Sequence, residues 1–241
     1  MTKFFRFPHT PHLAWLGQGT PRDDKVLSSS ECEAFLAHAV VLEEKVDGAN
    51  LGFSVDSTGA IRAQNRGQYL PRPFTGQFGR LNGWLSSHEE ALFDALGESL
   101  MLFGEWVAAV HSMEYPGLPD YFLVFDVYDK NTRCFWSTTR RNALASRLGL
   151  HVVHLMGKGH YRLNALQQML ITNPSTYRTG GCEGIYLRHE NDDWLIGRAK
   201  LVHPDFVQSI GEHWRSRALR WNVLNGESAP TLHDCRRLQA H

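Results

Sequence analysis

The sequence predicts an α+β fold. Strand-like runs cluster at residues 40–65 and 184–201, each around a tight turn. Helical spacing is confined to separate stretches, so the order is not an alternating βαβ series. A central apolar run, YFLVFDVY at 121–128, is rich in β-branched and aromatic residues and suits a buried strand. Taken in order, residues 1–30 are rich in Pro, Gly and polar groups and read as an extended arm. Ser28, Ser29 and Ser30 precede Glu31 and predict a capped short helix over 31–38. Residues 40–45 and 50–55 read as two strands around an Asp47-Gly48 turn, with 61–65 a third. Leu92, Phe93, Leu96 and Leu100 have helical spacing within 88–101. Residues 138–148 and 163–171 read as amphipathic helices. Residues 184–188 and 194–201 read as strands joined by an Asn191-Asp192-Asp193 turn. After about Phe206 comes a basic segment with Trp214 and Trp221, read as a C-terminal helix and tail.

At 241 residues the chain can bury a core without disulfides or metal staples. Hydrophobic residues at 42% and charged residues at 21% exclude wholesale disorder. No run of 18 apolar residues predicts a membrane span, and the first residues lack the apolar stretch of a signal peptide. Cys32, Cys134, Cys182 and Cys235 form no CxxC pair, which makes a reducing, cytoplasmic setting the expectation. The formal charge is zero, but it is segregated. Residues 57–88 hold no acid while carrying Arg62, Arg66, Arg72 and Arg80. Residues 130–182 also hold none, and carry Lys130, Arg133, Arg140, Arg141, Arg147, Lys158, Arg162 and Arg178. Arg outnumbers Lys 19 to 6, a bias that suits two-point recognition of phosphate.

The chemistry-bearing strings are spread along the chain. Lys45-Val46-Asp47-Gly48-Ala49-Asn50 puts a lysine at the end of a strand. A neutral amine is a good nucleophile toward phosphorus, but lysine must lose its proton first. Phe103-Gly104-Glu105-Trp106 follows the helical stretch at 88–101, Phe125 sits in the apolar strand, and Glu183-Gly184-Ile185 opens another. Arg198 and Lys200 lie two apart in the last strand and so share a face. Two cations there would bind phosphate and lower the pKa of Lys45 if they stood beside it. Glu105 and Glu183 could hold Mg²⁺ directly or through water. The ring of Phe125 could stack on a base.

In this order the set resembles the covalent nucleotidyltransferase superfamily of ATP-dependent RNA and DNA ligases and capping enzymes. It is most similar to RNA ligases of the nick-sealing, bacteriophage-type branch. The phrases FPHTPHL, HSMEYPGLPDYF and RAKLVHPDF also resemble small RNA-ligase-family proteins of bacteria and phages. The resemblance implies an adenylyltransferase fold over 1–206, with antiparallel sheets flanked by helices and ATP in a cleft between them. The basic helical tail, 207–241, is too short for an OB-fold. Lys45 is implied as the residue that becomes adenylylated, with Glu44, Asp47 and Asn50 around the nucleotide. Arg66, rather than Arg62, is implied at the sugar and Glu105 at the ribose. Phe125 is implied at the adenine, Glu183 at the metal, and Arg198 and Lys200 at the α-phosphate. Arginine at 198 keeps the phosphate grip, yet cannot donate a proton.

ATP and Mg²⁺ or Mn²⁺ are the implied cofactors, and RNA with 3′-OH and 5′-phosphate ends the implied partner. No membrane and no obligate protein partner is expected, and the setting is bacterial or phage-infected cytoplasm. A non-catalytic RNA-binding protein with a degenerate ligase fold is the alternative, as is a DNA-ligase-type or capping-type enzyme. A zinc hydrolase built on His151, His154 and His160 would need a carboxylate that this segment lacks.

Overall fold

The computed structural model describes residues 4–18, 25–209 and 218–226. Residues 4–18 form an arm without regular helix or strand, and α1 spans Ser29–Leu36. Ser28 caps this helix: its Oγ accepts from Glu31 N–H, and the Glu31 carboxylate accepts from Ser28 N–H. That capping box explains why the helix starts two residues earlier than the sequence suggests. β1 (Val40–Lys45) follows, then β2 (Ala49–Val55) and β3 (Ile61–Gln64).

β1 and β2 are not a hairpin. β1 belongs to a four-stranded antiparallel sheet, while β2 belongs to a six-stranded one. Val46, Asp47 and Gly48 carry the chain from one sheet to the other, and Gly48 is the point of closest approach. A Cβ there would lie 2.6 Å from the carbonyl oxygen of Trp106, so only glycine fits. This crossing sets Lys45 at the seam between the sheets.

α2 (Leu81–Ser86) and α3 (Glu89–Leu96) pack under the six-stranded sheet. The helix expected over 88–101 stops at Gly97, which has φ 47°. Residues from Leu100 instead form β4 (Leu100–Trp106), a strand the helical spacing concealed. β5 (Phe122–Asp129), the short β6 (Cys134–Phe135) and β7 (His151–Val152) complete this sheet, whose main path is β3-β2-β4-β5-β6. Its helix-covered face buries Phe53, Leu81, Trp84, Leu92, Trp106 and Phe122.

α4 (Thr138–Arg147) connects β6 to β7 and packs on β5 and β7 of the six-stranded sheet. The second sheet runs β10-β9-β1-β8, with β8 (Leu155–Gly159), β9 (Gly184–Glu190) and β10 (Leu195–Val202). Its outer face buries Val40, Leu42, Ile185, Leu187 and Leu201 against Leu166 and Leu170 of α5 (Leu163–Thr172). Because side chains alternate along a strand, Glu43, Lys45, Tyr186, Arg188, Arg198 and Lys200 lie on the other face, toward the six-stranded sheet. The arm straps the two sheets together. Phe7 is buried beside Phe103, and farther on Leu13 N–H donates to Lys200 O at 2.7 Å along the β10 edge.

α6 (Pro204–Ser209) ends the four-stranded half. The expected helical tail is corrected in part. Residues 218–226 form no helix: Trp221 and Leu224 form bridges with Ala109 and Leu118, and residues 225–226 turn. Asn222 is buried: its Oδ1 accepts from Tyr115 N–H and its Nδ2 donates to Val107 O. The tail positions 210–217 and 227–241, including Trp214 and Cys235, lie outside the described residues. No described helix is long and apolar enough to cross a membrane.

Candidate active site

A cleft of about 740 Å³ opens at the seam between the sheets. Lys45 lines it at the end of β1, and Lys45 Nζ lies 2.5 Å from Glu183 Oε1. Glu183 reaches the lysine because β9 pairs with β1 in the register Lys45↔Gly184. A Cβ on Gly184 would lie 2.5 Å from Leu201 O, so the glycine of the EGI string lets β9 and β10 close up beside the lysine. Glu105 enters from β4, whose register with β2 places it opposite Asn50. The KVDGAN, FGE and EGI strings thus meet at one point.

The electrostatics of this point differ from the sequence expectation. Burial pulls the Lys45 ammonium down, but Glu183, Glu105 and Asp47 outweigh it and hold the pKa above 10.5. Cations beside it were expected to lower that value; carboxylates raise it instead. Burial pushes Glu105 up to about 8 and Glu183 up to about 7, against the pull of Lys45. These raised carboxylates make the folded protein bind more protons than the unfolded chain between about pH 4.5 and pH 8. Stability of the ligand-free protein should therefore fall as pH rises through that window. Thermal melts in chelator at pH 5 and pH 8 check this. The pH 8 melting temperature is expected to be lower, and the gap to shrink in Glu105→Gln/Glu183→Gln. A rising profile would contradict these carboxylate environments.

Three polar atoms around the cleft are buried and lack a protein partner: Asn50 Oδ1, Arg66 Nε and Glu183 Oε2. Orphaned groups of this kind are costly unless a ligand, water or ion satisfies them. Asn50, Arg66, Glu105, Phe125 and Lys200 all line the cleft, as the sequence suggests. Arg62 does not, since it pairs with Asp56 at 2.7 Å on the surface. Glu44 lines the cleft, but its carboxylate turns away, accepting from Ser175 Oγ and from Thr176 N–H.

Three expected residues, Asp47, Arg198 and Glu183, do not line the cleft, and the expectation is corrected. Glu183 sits behind the lining, against Lys45. Asp47 does not line the cleft; its Oδ2 accepts from Ser112 N–H at 2.7 Å and Met113 N–H at 2.9 Å. Arg198 also stays out of the lining. Asp126 of β5 captures it at 2.8 Å, and its guanidinium lies 4.1 Å from the Phe135 ring centroid. The β10 alternation was read correctly, but a buried partner across the seam takes the first cation.

The sequence reading missed Phe7, Thr10, Gln77, His111 and Tyr186 in the lining. Thr10 Oγ1 and Tyr186 Oη are 2.6 Å apart, and His111 Nε2 is 2.7 Å from Gln77 Oε1. Phe7 and Thr10 fall in the FPHTPHL phrase, and His111 opens HSMEYPGLPDYF, which were noticed as strings without roles.

A divalent cation fits the two carboxylates. Glu183 Oε2 lacks a partner, and both groups sit where added positive charge would favour ionisation. Among the described residues no group of three or more Asp, Glu, His or Cys side chains could hold a metal. Water and a ligand's phosphates would therefore complete the shell.

The two sheets, with a lysine on the crossing between them, superpose on solved RNA ligases and have the nucleotidyltransferase fold. A solved Naegleria gruberi RNA ligase variant with ATP and Mn superposes with a TM-score of 0.59 at 14% identity, covering 73% of this chain and 53% of that one. The same ligase with PPi gives 0.59 at 15% identity, covering 86% and 64%. An archaeal ATP-dependent RNA ligase gives 0.57 at 20% identity, covering 82% of this chain and 48% of that one. The chain thus spans about half of the first of these relatives. No curated protein matches it. The family model for RNA ligase matches residues 38–202, and the chain belongs to that family.

Proposed function

We propose that this protein is an ATP-dependent RNA ligase that joins 3′-OH and 5′-phosphate ends through a lysine-bound AMP. The observation that carries the reading is Lys45, paired with Glu183 and lining a cleft together with Phe125, Asn50 and Arg66. Lys45 Nζ attacks the α-phosphate of ATP, forming an N–P bond and releasing pyrophosphate. The ammonium proton must leave, and Glu183 Oε1, at 2.5 Å, is the nearest acceptor. Lys200 stabilises charge at the α-phosphate, and the Phe125 ring stacks on adenine. A divalent cation at Glu105 and Glu183 would neutralise charge on the phosphates. AMP then passes to a 5′-phosphate, and a 3′-hydroxyl displaces it.

A second cleft of about 440 Å³, lined by Thr139, Asn142, His154 and Lys158 and by Glu43, supports a path for the RNA strand. Val153 lines both clefts, so they are neighbours. Lys158, an exposed cation of the acid-free segment 130–182, stands in this lining. Arg141 of that segment is instead buried against Glu43, whereas Arg133, Arg147 and Arg162 are exposed away from this cleft's lining. Lys158→Glu is expected to weaken RNA binding and lower the slope of log Kd against log salt by about one. Its KM for ATP in self-adenylylation should be unchanged. An unaltered RNA affinity would remove this path.

The overall reading is tested with α-phosphate-labelled ATP, a divalent metal and RNA ends presented as nicks and as single strands, after pyrophosphate treatment to strip bound AMP. Label on the protein and joined RNA are expected. Neither product would leave the degenerate RNA-binding alternative.

A further inference from the structure

The strand that carries Phe125 is irregular at that residue. β4 and β5 pair in the register Phe103↔Asp126 and then Gly104↔Val124, so Phe125 has no partner across the sheet. An extra residue of this kind forms a β-bulge, which re-aims side chains and frees backbone groups. In a regular strand Phe125 and Asp126 would face opposite sides. Here both serve the seam: Phe125 lines the cleft, and Asp126 pairs with Arg188 and Arg198 of the opposite sheet.

The carbonyl oxygen of Phe125 is held from two directions. Arg141 Nη1 of α4 donates to it at 2.7 Å, and Arg188 Nη1 of β9 at 3.2 Å. Both guanidinium groups are buried, at 1% and 0% exposure. Each is fixed by carboxylates: Arg141 by Glu43 at 2.5 Å, and Arg188 by Asp126 at 2.7 Å and Glu190 at 3.3 Å. Buried ion pairs add little net stability, because desolvation offsets their attraction. What two converging guanidinium forks do provide is a fixed location for one backbone oxygen. The residue so fixed carries the ring that faces the nucleotide cleft.

We infer that Arg141 and Arg188 are positioning residues that lock the bulge at Phe125 and so set the plane on which the purine of the nucleotide stacks. The inference rests on the nucleotide-binding reading above. Lysine at 141 keeps the charge beside Glu43 but cannot fork onto a second acceptor. Its effect should therefore appear on the base alone.

The test uses AMP and ribose 5-phosphate as competitive inhibitors of self-adenylylation. The ratio of their inhibition constants measures the contribution of the base. Phe125→Ala should cut that ratio roughly tenfold, the scale of one stacked base. Arg141→Lys should cut it roughly threefold to tenfold while leaving ribose 5-phosphate unchanged. In the Phe125→Ala background, Arg141→Lys should have no further effect. Equal weakening of both ligands, or full additivity with Phe125→Ala, would overturn the positioning role. An unchanged ratio in Phe125→Ala would instead overturn the stacking reading on which the role depends. Thermal melts monitor folding. If Arg141→Lys does not fold, the double variant Glu43→Met/Arg141→Met removes both charges while filling the same space, and the same ratio decides.

Discussion

Lys45→Ala should carry no label after incubation with α-labelled ATP and a divalent metal, where the wild-type protein carries one AMP. Lys45 supplies the only atom that the proposed mechanism joins to phosphorus on the protein, so the loss is expected to be complete on a denaturing gel. Lys45→Arg separates chemistry from structure. Arginine can still pair with Glu183, yet it cannot lose its proton and act as a nucleophile. It should fold and melt near the wild type while remaining unlabelled. Both variants should still join RNA supplied with a 5′-adenylylated end, because the lysine's covalent role ends once AMP is on the strand. Label on Lys45→Ala would move the nucleophile elsewhere. Loss of joining on pre-adenylylated RNA by Lys45→Arg would show that the lysine has a further role after AMP transfer.

The gathering of the site residues at one cleft was legible because they came in short, ordered strings. Lys45, Glu105, Phe125 and Glu183 were each commonplace alone, and their order along the chain brought them together. The capped helix at Ser28 and Glu31 was legible because a capping box is local in sequence. What escaped depends on contacts between distant segments. The Asp47-Gly48 turn reads as a hairpin, and only the packing of Gly48 against Trp106 shows that the chain crosses between sheets. Arg198 reads as a phosphate ligand until the bulge at Phe125 turns Asp126 toward it. The lack of acids in 57–88 and 130–182 is real, but Arg62, Arg72 and Arg141 find Asp56, Glu89 and Glu43 from outside those stretches. Segregation along the chain therefore overstates segregation in space.

Asp47→Ala should be the most damaging change that removes neither a nucleophile nor a cleft-lining group. Asp47 Oδ2 accepts from the amides of Ser112 and Met113, the residues next to His111 in the cleft wall. The same loop is held from its other side by Asn222 through Tyr115 and Val107. Removing the carboxylate leaves two part-buried donors without an acceptor, a cost of about 2–3 kcal/mol. For a chain of this size that corresponds to a fall in melting temperature of roughly 5–10 °C. The KM for ATP should rise with it, because the His111 loop loses its tie to the Lys45 turn. Asp47→Asn is the discriminating partner. Its Oδ1 can accept from both amides, so it should recover most of the melting temperature and most of the affinity. If Asp47→Asn instead loses activity as fully as Asp47→Ala while melting like the wild type, the charge of Asp47 acts on the reaction itself. The negative charge of Asp47 also helps to hold the pKa values of Glu105 and Glu183 up. Because Asp47→Asn removes that charge in either case, the pH profile of self-adenylylation should shift to lower pH. It is loss of activity with a wild-type melting temperature that separates a role in the reaction from a loop-tying one.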